Sequence, residues 1–473
     1  MDSKERIAAA LKVATDTKVF EMGEGILGRV PEVFKELFPG RKAVVVADIN
    51  TWPACGKEVF ALMEAAGIPT EKYIIEKEEF HAEWRYIEMV DKILDGDFAE
   101  AKRLENDPDY TEADARKAFR EPSDRYPVAV SVGAGVINDL CKLTSHHHGQ
   151  GYVCVATAAS VDGYTSYGAA MVVNGFKKTV PCAAPLAIIA DNAVVSSAPF
   201  EMTASGYADL AAKVPGGADW LIADALGEHP IDERAWGMVQ THLKEWLSDP
   251  QSLKEGKSKP LSDLFQGLAA TGFSMQYYHD SRPASGAEHL CSHAWEMYDL
   301  KKDGVNPSHG FKVALGTLII TALMTETFKI SAADIRRLTE NRPGKTNAQR
   351  EAQIAGFLKG TQFYEDTLKI ALSKNLEGDK LAARRQLIYE KWDIMRDRVM
   401  KQLIPFNELR ARFELLGCPV NPADIGTDIA GCKRAATVAG MIRKRYTCLD
   451  MLYELDYLDT MLDTVFSKGY FQL

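Results

Sequence analysis

With 473 residues the chain exceeds what one hydrophobic core ordinarily serves, so two large domains are expected. A composition of 46% hydrophobic and 26% charged residues excludes disordered and fibrous classes. The formal net charge of -10 leaves no electrostatic footprint for nucleic acid or an anionic membrane, and a small anionic substrate would need a local basic pocket.

The opening MDSKERIAAALK carries acidic residues and no apolar core of signal-peptide length. The most apolar later run, 313–324, is short for a bilayer span and is flanked by Lys312 and Glu326, so no membrane insertion is expected. Eight cysteines are scattered without CxxC spacing, several inside apolar runs such as that around Cys154. They read as buried, reduced thiols of a cytoplasmic enzyme.

In chain order, a polar helix is predicted over 3–16, then a short strand, a glycine turn and a helix through 18–37. KAVVVAD at 42–48 is a β-branched apolar run of the kind buried in a parallel sheet. A helix follows that stops at Gly67, and YIIEK opens a third strand, which makes a βαβ signature. The stretch 80–124 is charged and helix-prone, with WRYIEMVDKIL amphipathic and DPDYTEADARKAF polar, and reads as a helical insertion on the rim. PVAVSV, YVCVATA and LAIIAD supply the remaining strands. Beyond about Ala193 the pattern is helical almost to the end, with breaks at GEHPID, QSLKEGKSKPLSD and CPVNPADIG. The expectation is an α/β dinucleotide-binding domain with a Rossmann-like parallel sheet over 1–195, with the insertion at about 80–125, and an all-α metal and substrate domain over 196–473.

Gly133 and Gly135 follow a strand and open a helix, where glycines let backbone approach a pyrophosphate; the third glycine of GxGxxG is replaced by Asn138. A tight turn without a ligand satisfies the same pattern. Asp48 ends a strand where a carboxylate can accept ribose hydroxyls and disfavour a 2′-phosphate; a turn or cap aspartate is the plainer reading. Here the acid precedes the glycines, opposite to the usual fingerprint. The small hydroxyl residues of TAASVDGYTSYG at 157–168 can line a phosphate or nicotinamide pocket, and Asp162-Gly163 forms a turn. The run His146, His147, His148 sits at the polar end of a helix, where imidazoles cap and solvate rather than bind metal.

Three pieces carry metal chemistry: SGYADLAAK at 205–213, SGAEHLCSH at 285–293 and NPSHG at 306–310. Asp209, His289, His293 and His309 offer carboxylate and imidazole donors of the kind that hold Zn²⁺, Ni²⁺ or Fe²⁺. Asp209 and Lys213, four apart, could equally be a plain helical ion pair. His289 and His293 share a helix face, marked at its start by Pro283 and by Ser285 with Glu288 in a capping-box spacing. Either both bind metal, or one binds while the other reaches substrate. Ser308 is the expected N-cap of the apolar helix that His309 opens.

Taken together, GAGVINDLCK, TAASVDGYTS, GFKKT, SGYADLAAK, SGAEHLCSH and NPSHG resemble the sn-glycerol-1-phosphate dehydrogenases of the iron-containing alcohol dehydrogenase and dehydroquinate synthase-like superfamily. The likeness covers most of 18–329, and IRKRYTCLDMLYEL is similar to the bacterial branch. It implies an NAD pyrophosphate site on the turn Gly133, Ala134, Gly135, Val136, Ile137 and Asp139, with Ala134 in place of the family's middle glycine. It implies further NAD contacts at Thr157, Ala158, Ser160 and Ser166, and a substrate contact at Asp162. Asp209, His289 and His309 match its metal ligands and His293 a substrate-contacting histidine; Lys213 stands where generic alcohol dehydrogenases carry a second histidine, so three protein ligands are expected. The insertion departs from the family's usual length.

The activity implied is reversible reduction of dihydroxyacetone phosphate, a small phosphorylated three-carbon substrate, to sn-glycerol 1-phosphate. NAD is the expected cofactor, with NADP possible, beside one divalent metal, in a homo-oligomer of two or more chains. His293 would supply the proton, and the substrate phosphate has Lys177, Lys178, Lys213 and Arg282 as candidates. The rivals are a dehydrogenase of another polyol or phosphorylated ketose, a dehydroquinate synthase-like cyclase using NAD transiently, and a non-catalytic metabolite-binding relative. The cyclase branch carries a glutamate where Asp209 stands.

Overall fold

A computed structural model describes residues 3–78, 80–111, 118–173 and 176–472, excluding the side chains of 3, 4, 173 and 176–178. Two compact units emerge: Met1–Tyr207 with Glu245–Asp280, and Ala208–Lys244 with Ser281–Leu473. They are not separated by a single cut in the chain, because 245–280 returns to the first unit.

The first unit is built on a six-stranded sheet of β1 (Val19–Gly23), β2 (Ala43–Asp48), β3 (Thr70–Ile75), β4 (Val128–Gly133), β5 (Val153–Ala156) and β8 (Ala187–Asp191), in the order β1-β8-β5-β4-β2-β3. Every pairing is parallel. Strands buried on both faces explain the unbroken apolar runs: Val45, Val130, Val155 and Ile189 pack with Val33 and Phe34 of the helix Arg29–Leu37 and Val59 and Met63 of the helix Lys57–Ala65. A separate antiparallel pair, β6 (Ala169–Val173) and β7 (Phe176–Val180), escaped the strand reading of the sequence.

The stretch 80–124 is not confined to the rim. Its first helix, Trp84–Asp95, buries Trp84, Ile87, Met89, Val90, Ile93 and Leu94, more than a rim helix would. Asp91 and Asp95 tie it to the helix Gly135–His147: His147 Nδ1 lies 3.0 Å from Asp91 Oδ2, and His148 Nε2 lies 3.1 Å from Asp95 Oδ1. His147 and His148 are therefore buried partners of carboxylates and not solvated caps. The polar stretch around 112–117 lies outside the described residues. QSLKEGKSKPLSD, expected as a break, is largely helical, in Pro250–Lys254 and the start of Ser258–Tyr278.

The second unit is helical. At its core runs His309–Phe328, long and apolar enough by composition to cross a membrane but with 89% of its apolar window buried. The helices Ala287–Met297, Phe406–Leu416 and Leu458–Ser467 pack around it. Gly316 allows the close approach of Ala287–Met297, since a Cβ there would stand 2.4 Å from the Glu288 carbonyl oxygen. All eight cysteines of the chain are buried thiols.

Candidate active site and metal centre

In the first unit the chain runs β2 to β3 outward in one direction, then restarts at β4 and proceeds through β5 to β8 in the other. The reversal puts a topological switch point between β2 and β4, where open α/β sheets bind ligands beyond the carboxyl ends of the strands. Val46 pairs with Ser131, so Asp48 and Gly133 end two adjacent strands at the same level. Gly133 pairs in turn with Ala156, which Thr157 follows. The acid that precedes the glycines in sequence thus stands beside them in space. Gly133 is required by packing, because a Cβ would lie 2.6 Å from that of Ile137. Ala134 is the extended N-cap of the helix Gly135–His147 and forms no side-chain cap, so the first amides of that helix are presented at the switch point. Asp48 meanwhile accepts from the amides of Asn50 and Thr51 at 2.9 and 2.7 Å, a turn role.

The segment after β5 is fixed by residues the sequence reading passed over. Lys142, fully buried, donates to the carbonyls of Gly163, Ser166 and Gly168 at 2.8, 3.1 and 3.1 Å. Asn138, at the missing third glycine, bridges the Gly163 carbonyl and the Tyr152 hydroxyl. Thr165 donates to Ala269, and a Cβ on Gly272 would meet Thr165 Oγ1 at 1.9 Å, which is why 245–280 packs with this unit. Thr157, Ala158, Ser160 and Ser166 are buried along this segment, and Asp162 opens the 3₁₀ turn Asp162–Tyr164.

In the second unit Asp209, His289 and His309 each offer a ligand atom, all within 4.8 Å of one another. Asp209 lies within the helix Phe200–Ala225, His289 on Ala287–Met297, and His309 opens the next helix behind its N-cap Ser308, whose hydroxyl accepts from Phe311. The N-cap of the His289 helix is Gly286 and not Ser285; Glu288 still reaches back to accept from the Gly286 amide at 2.7 Å.

Carboxylates behind the imidazoles set their orientation. His289 Nδ1 lies 2.9 Å from Glu288 Oε1, which directs Nε2 at Asp209 Oδ1, 3.2 Å away. Asp209, His289 and His309 thus put one carboxylate and two imidazoles within reach of a single cation, with Glu288 behind His289 to orient it. The donor set therefore fits a divalent metal. His293 Nδ1 lies 3.1 Å from Glu296 Oε2, while Glu296 Oε1 stands 3.0 Å from Lys312 Nζ and 3.6 Å from His309 Nδ1. The sequence offers Glu288 only as a cap and Lys312 only as a flank of the apolar run; Glu296 follows His293 at helical spacing, which is the available signal for it.

Burial alone would raise the Asp209 carboxyl, but Lys213, His289 and His309 together hold it well below the usual carboxylate range. Burial and Lys213 push the His289 imidazole down, and Asp209 and Glu288 outweigh them and raise it. Burial and the neighbouring Glu288 push Asp219 up to about 7 against the amides of Ala287 and Cys448. Of the phosphate candidates, Lys213 is engaged with Asp209 at 2.7 Å, and Arg282 donates to the carbonyls of Tyr446 and Asp219 at 3.0 and 2.9 Å. The side chains of Lys177 and Lys178 lie outside the described residues.

A family model described as iron-containing alcohol dehydrogenase matches residues 21–199. A glycerol-1-phosphate dehydrogenase (NAD(P)+) of Halalkalibacterium halodurans is 30% identical over 325 residues, 67% of this chain and 75% of that protein. Its counterpart from Bacillus velezensis is 32% identical over 286 residues, 60% of this chain and 65% of its own length. Among solved structures, glycerol dehydrogenase from Schizosaccharomyces pombe matches in fold with a TM-score of 0.57 at 14% identity, over 97% of this chain and 93% of that one. The chain belongs to the glycerol-1-phosphate dehydrogenase family, within the iron-containing alcohol dehydrogenases.

Proposed function

We propose that this chain is a metal-dependent NAD(P) oxidoreductase that reduces dihydroxyacetone phosphate reversibly to sn-glycerol 1-phosphate. The observation that carries the reading is the convergence of Asp209, His289 and His309, far apart in sequence, within 4.8 Å. These three would hold one divalent cation, with Zn²⁺, Ni²⁺ and Fe²⁺ all suited to a carboxylate and two imidazoles. When bound, the cation supplies Lewis acidity toward the ketone oxygen and the reduced nicotinamide supplies hydride.

The chain's own residues do the rest. His293, its Nδ1 held by Glu296, donates the proton that the nascent secondary alcohol requires, and takes it back in the reverse direction. Asp162 accepts from a substrate hydroxyl. Gly133 to Ile137, with Asp139, receive the pyrophosphate at the helix N-terminus, and Thr157, Ala158, Ser160 and Ser166 line the adjoining wall. Asp48 accepts from the ribose hydroxyls and favours NADH over NADPH. The cytoplasm, with its reduced pool of nicotinamide cofactor, suits eight buried thiols.

NADH absorbance with dihydroxyacetone phosphate and added Zn²⁺, Ni²⁺ or Fe²⁺ tests the reading. Stoichiometric oxidation to sn-glycerol 1-phosphate, determined with a stereospecific detection step, supports it. Substrate turnover without net NADH change would point to the cyclase instead.

A further inference from the structure

The second unit contains a cavity of about 310 Å³ that includes none of the metal-triad residues. Four cations line it: Arg350, Lys374, Arg384 and Lys444. Tyr446 and Tyr453 form an aromatic wall, with the Arg350 guanidinium 3.9 Å from the Tyr453 ring centroid and that of Arg384 5.3 Å from Tyr446. Arg350 is 4% exposed, an expensive burial for a guanidinium, and its Nε atom makes no hydrogen bond among the described residues. Arg384 Nη1 is likewise buried without a hydrogen-bond partner there, its nearest acid being Glu454 Oε1 at 3.9 Å.

The acidic residues of the cavity do not cancel these cations. Asp450 takes Lys374 at 2.5 Å and Glu228 takes Arg384. Burial outweighs Arg384 and pushes Glu454 up to about 8, which favours its protonated form. Four cations against the three acids Glu228, Asp450 and Glu454 leave an excess of positive charge in a concave, partly apolar space inside a chain of net charge -10. Guanidinium forks with spare donors recognise phosphate or carboxylate oxygens, and the aromatic wall suits a short organic body. We propose that this cavity is a second ligand site, separate from the metal centre, that binds a small organic phosphate through Arg350, Arg384 and Lys444.

The test is titration calorimetry on the metal-loaded enzyme with inorganic phosphate, with 3-phosphoglycerate and with glycerate. Wild type should bind one more equivalent of 3-phosphoglycerate than an Arg384→Gln/Lys444→Gln double variant, more tightly than inorganic phosphate and at least tenfold more tightly than glycerate. NADH oxidation by the double variant, with dihydroxyacetone phosphate as the only phosphate compound added, should stay within twofold of wild type. Lys444 is exposed, so Lys444→Gln alone, which leaves the fold intact, should still weaken the extra equivalent severalfold. Identical stoichiometry and affinity in wild type and both variants would overturn the site. Equal affinity for 3-phosphoglycerate and inorganic phosphate would overturn the organic part of the ligand.

Discussion

Lys213 Nζ lies 2.7 Å from Asp209 Oδ1, one helical turn away, and both side chains are almost wholly excluded from solvent. A buried ion pair is expensive to break because the remaining charge has no water to turn to. Lys213→Met should therefore destabilise the metal-free protein by about 3–5 kcal/mol. Added Zn²⁺ should recover much of that loss, since a cation beside Asp209 replaces the missing ammonium. Denaturant titrations with chelator and with Zn²⁺ measure both numbers, and equal losses in the two conditions would mean that Asp209 does not face the ion.

Glu296 touches two imidazoles and Lys312, so it is placed to orient both histidines. Glu296→Gln should keep the metal content and lower kcat about 10–100-fold, the usual cost of losing a carboxylate behind a working histidine. The pH profile of turnover should change as well, because Glu296 is the side-chain partner of His293 Nδ1. An unchanged profile at reduced rate would assign Glu296 a packing role only.

Gly316 sets the distance between the helices bearing His289 and His309. Gly316→Ala places a methyl against the Glu288 backbone, which cannot rotate away, and should destabilise by about 1–3 kcal/mol. It should also weaken metal binding, because Glu288 carries the oxygen that orients His289. Thermal melts and metal titration on the same variant separate the two effects; full metal affinity would show that the helix pair tolerates the shift.

The parts legible in sequence were those with a local signature. Apolar runs marked the strands of the parallel sheet, and Asp209, His289 and His309 stood out through their donor chemistry and the family resemblance of their three segments, since spacing alone allowed Asp209 and Lys213 to be a plain ion pair. The adjacency of Asp48 and Gly133 was hidden because strand order is not sequence order. The return of 245–280 to the first unit depends on Thr165 and Gly272, which carry no periodic signal. Lys142 reads as an ordinary surface lysine in a helix, and only the three carbonyls it ties together reveal it as buried. The β6 and β7 pair had a signal, an Asn-Gly dipeptide between two β-prone runs, that was read only as part of a motif.

Glu454 gives a pH test. Its carboxyl, raised to about 8 by burial against the partial opposition of Arg384, stays protonated in the folded state where the unfolded chain is ionised. The folded state then binds more protons than the unfolded one between about pH 4 and pH 8, so stability falls as pH rises through that window. Glu454→Gln removes the ionisation, and its stability relative to wild type should climb across the window by roughly 3–5 kcal/mol. Urea midpoints at several pH values measure this, and a constant difference would mean that Glu454 is ionised throughout.

The most direct measurement is metal content and NADH-linked turnover of His309→Ala beside wild type, both loaded with Zn²⁺ and desalted. His309 opens its helix at the edge of the core, with its side chain 22% exposed, so the fold should survive. Wild type should retain one metal ion per chain and reduce dihydroxyacetone phosphate, while His309→Ala should lose the ion and the turnover together with its helical signal intact. A variant that keeps a full equivalent of metal and wild-type turnover would contradict a cation held by Asp209, His289 and His309.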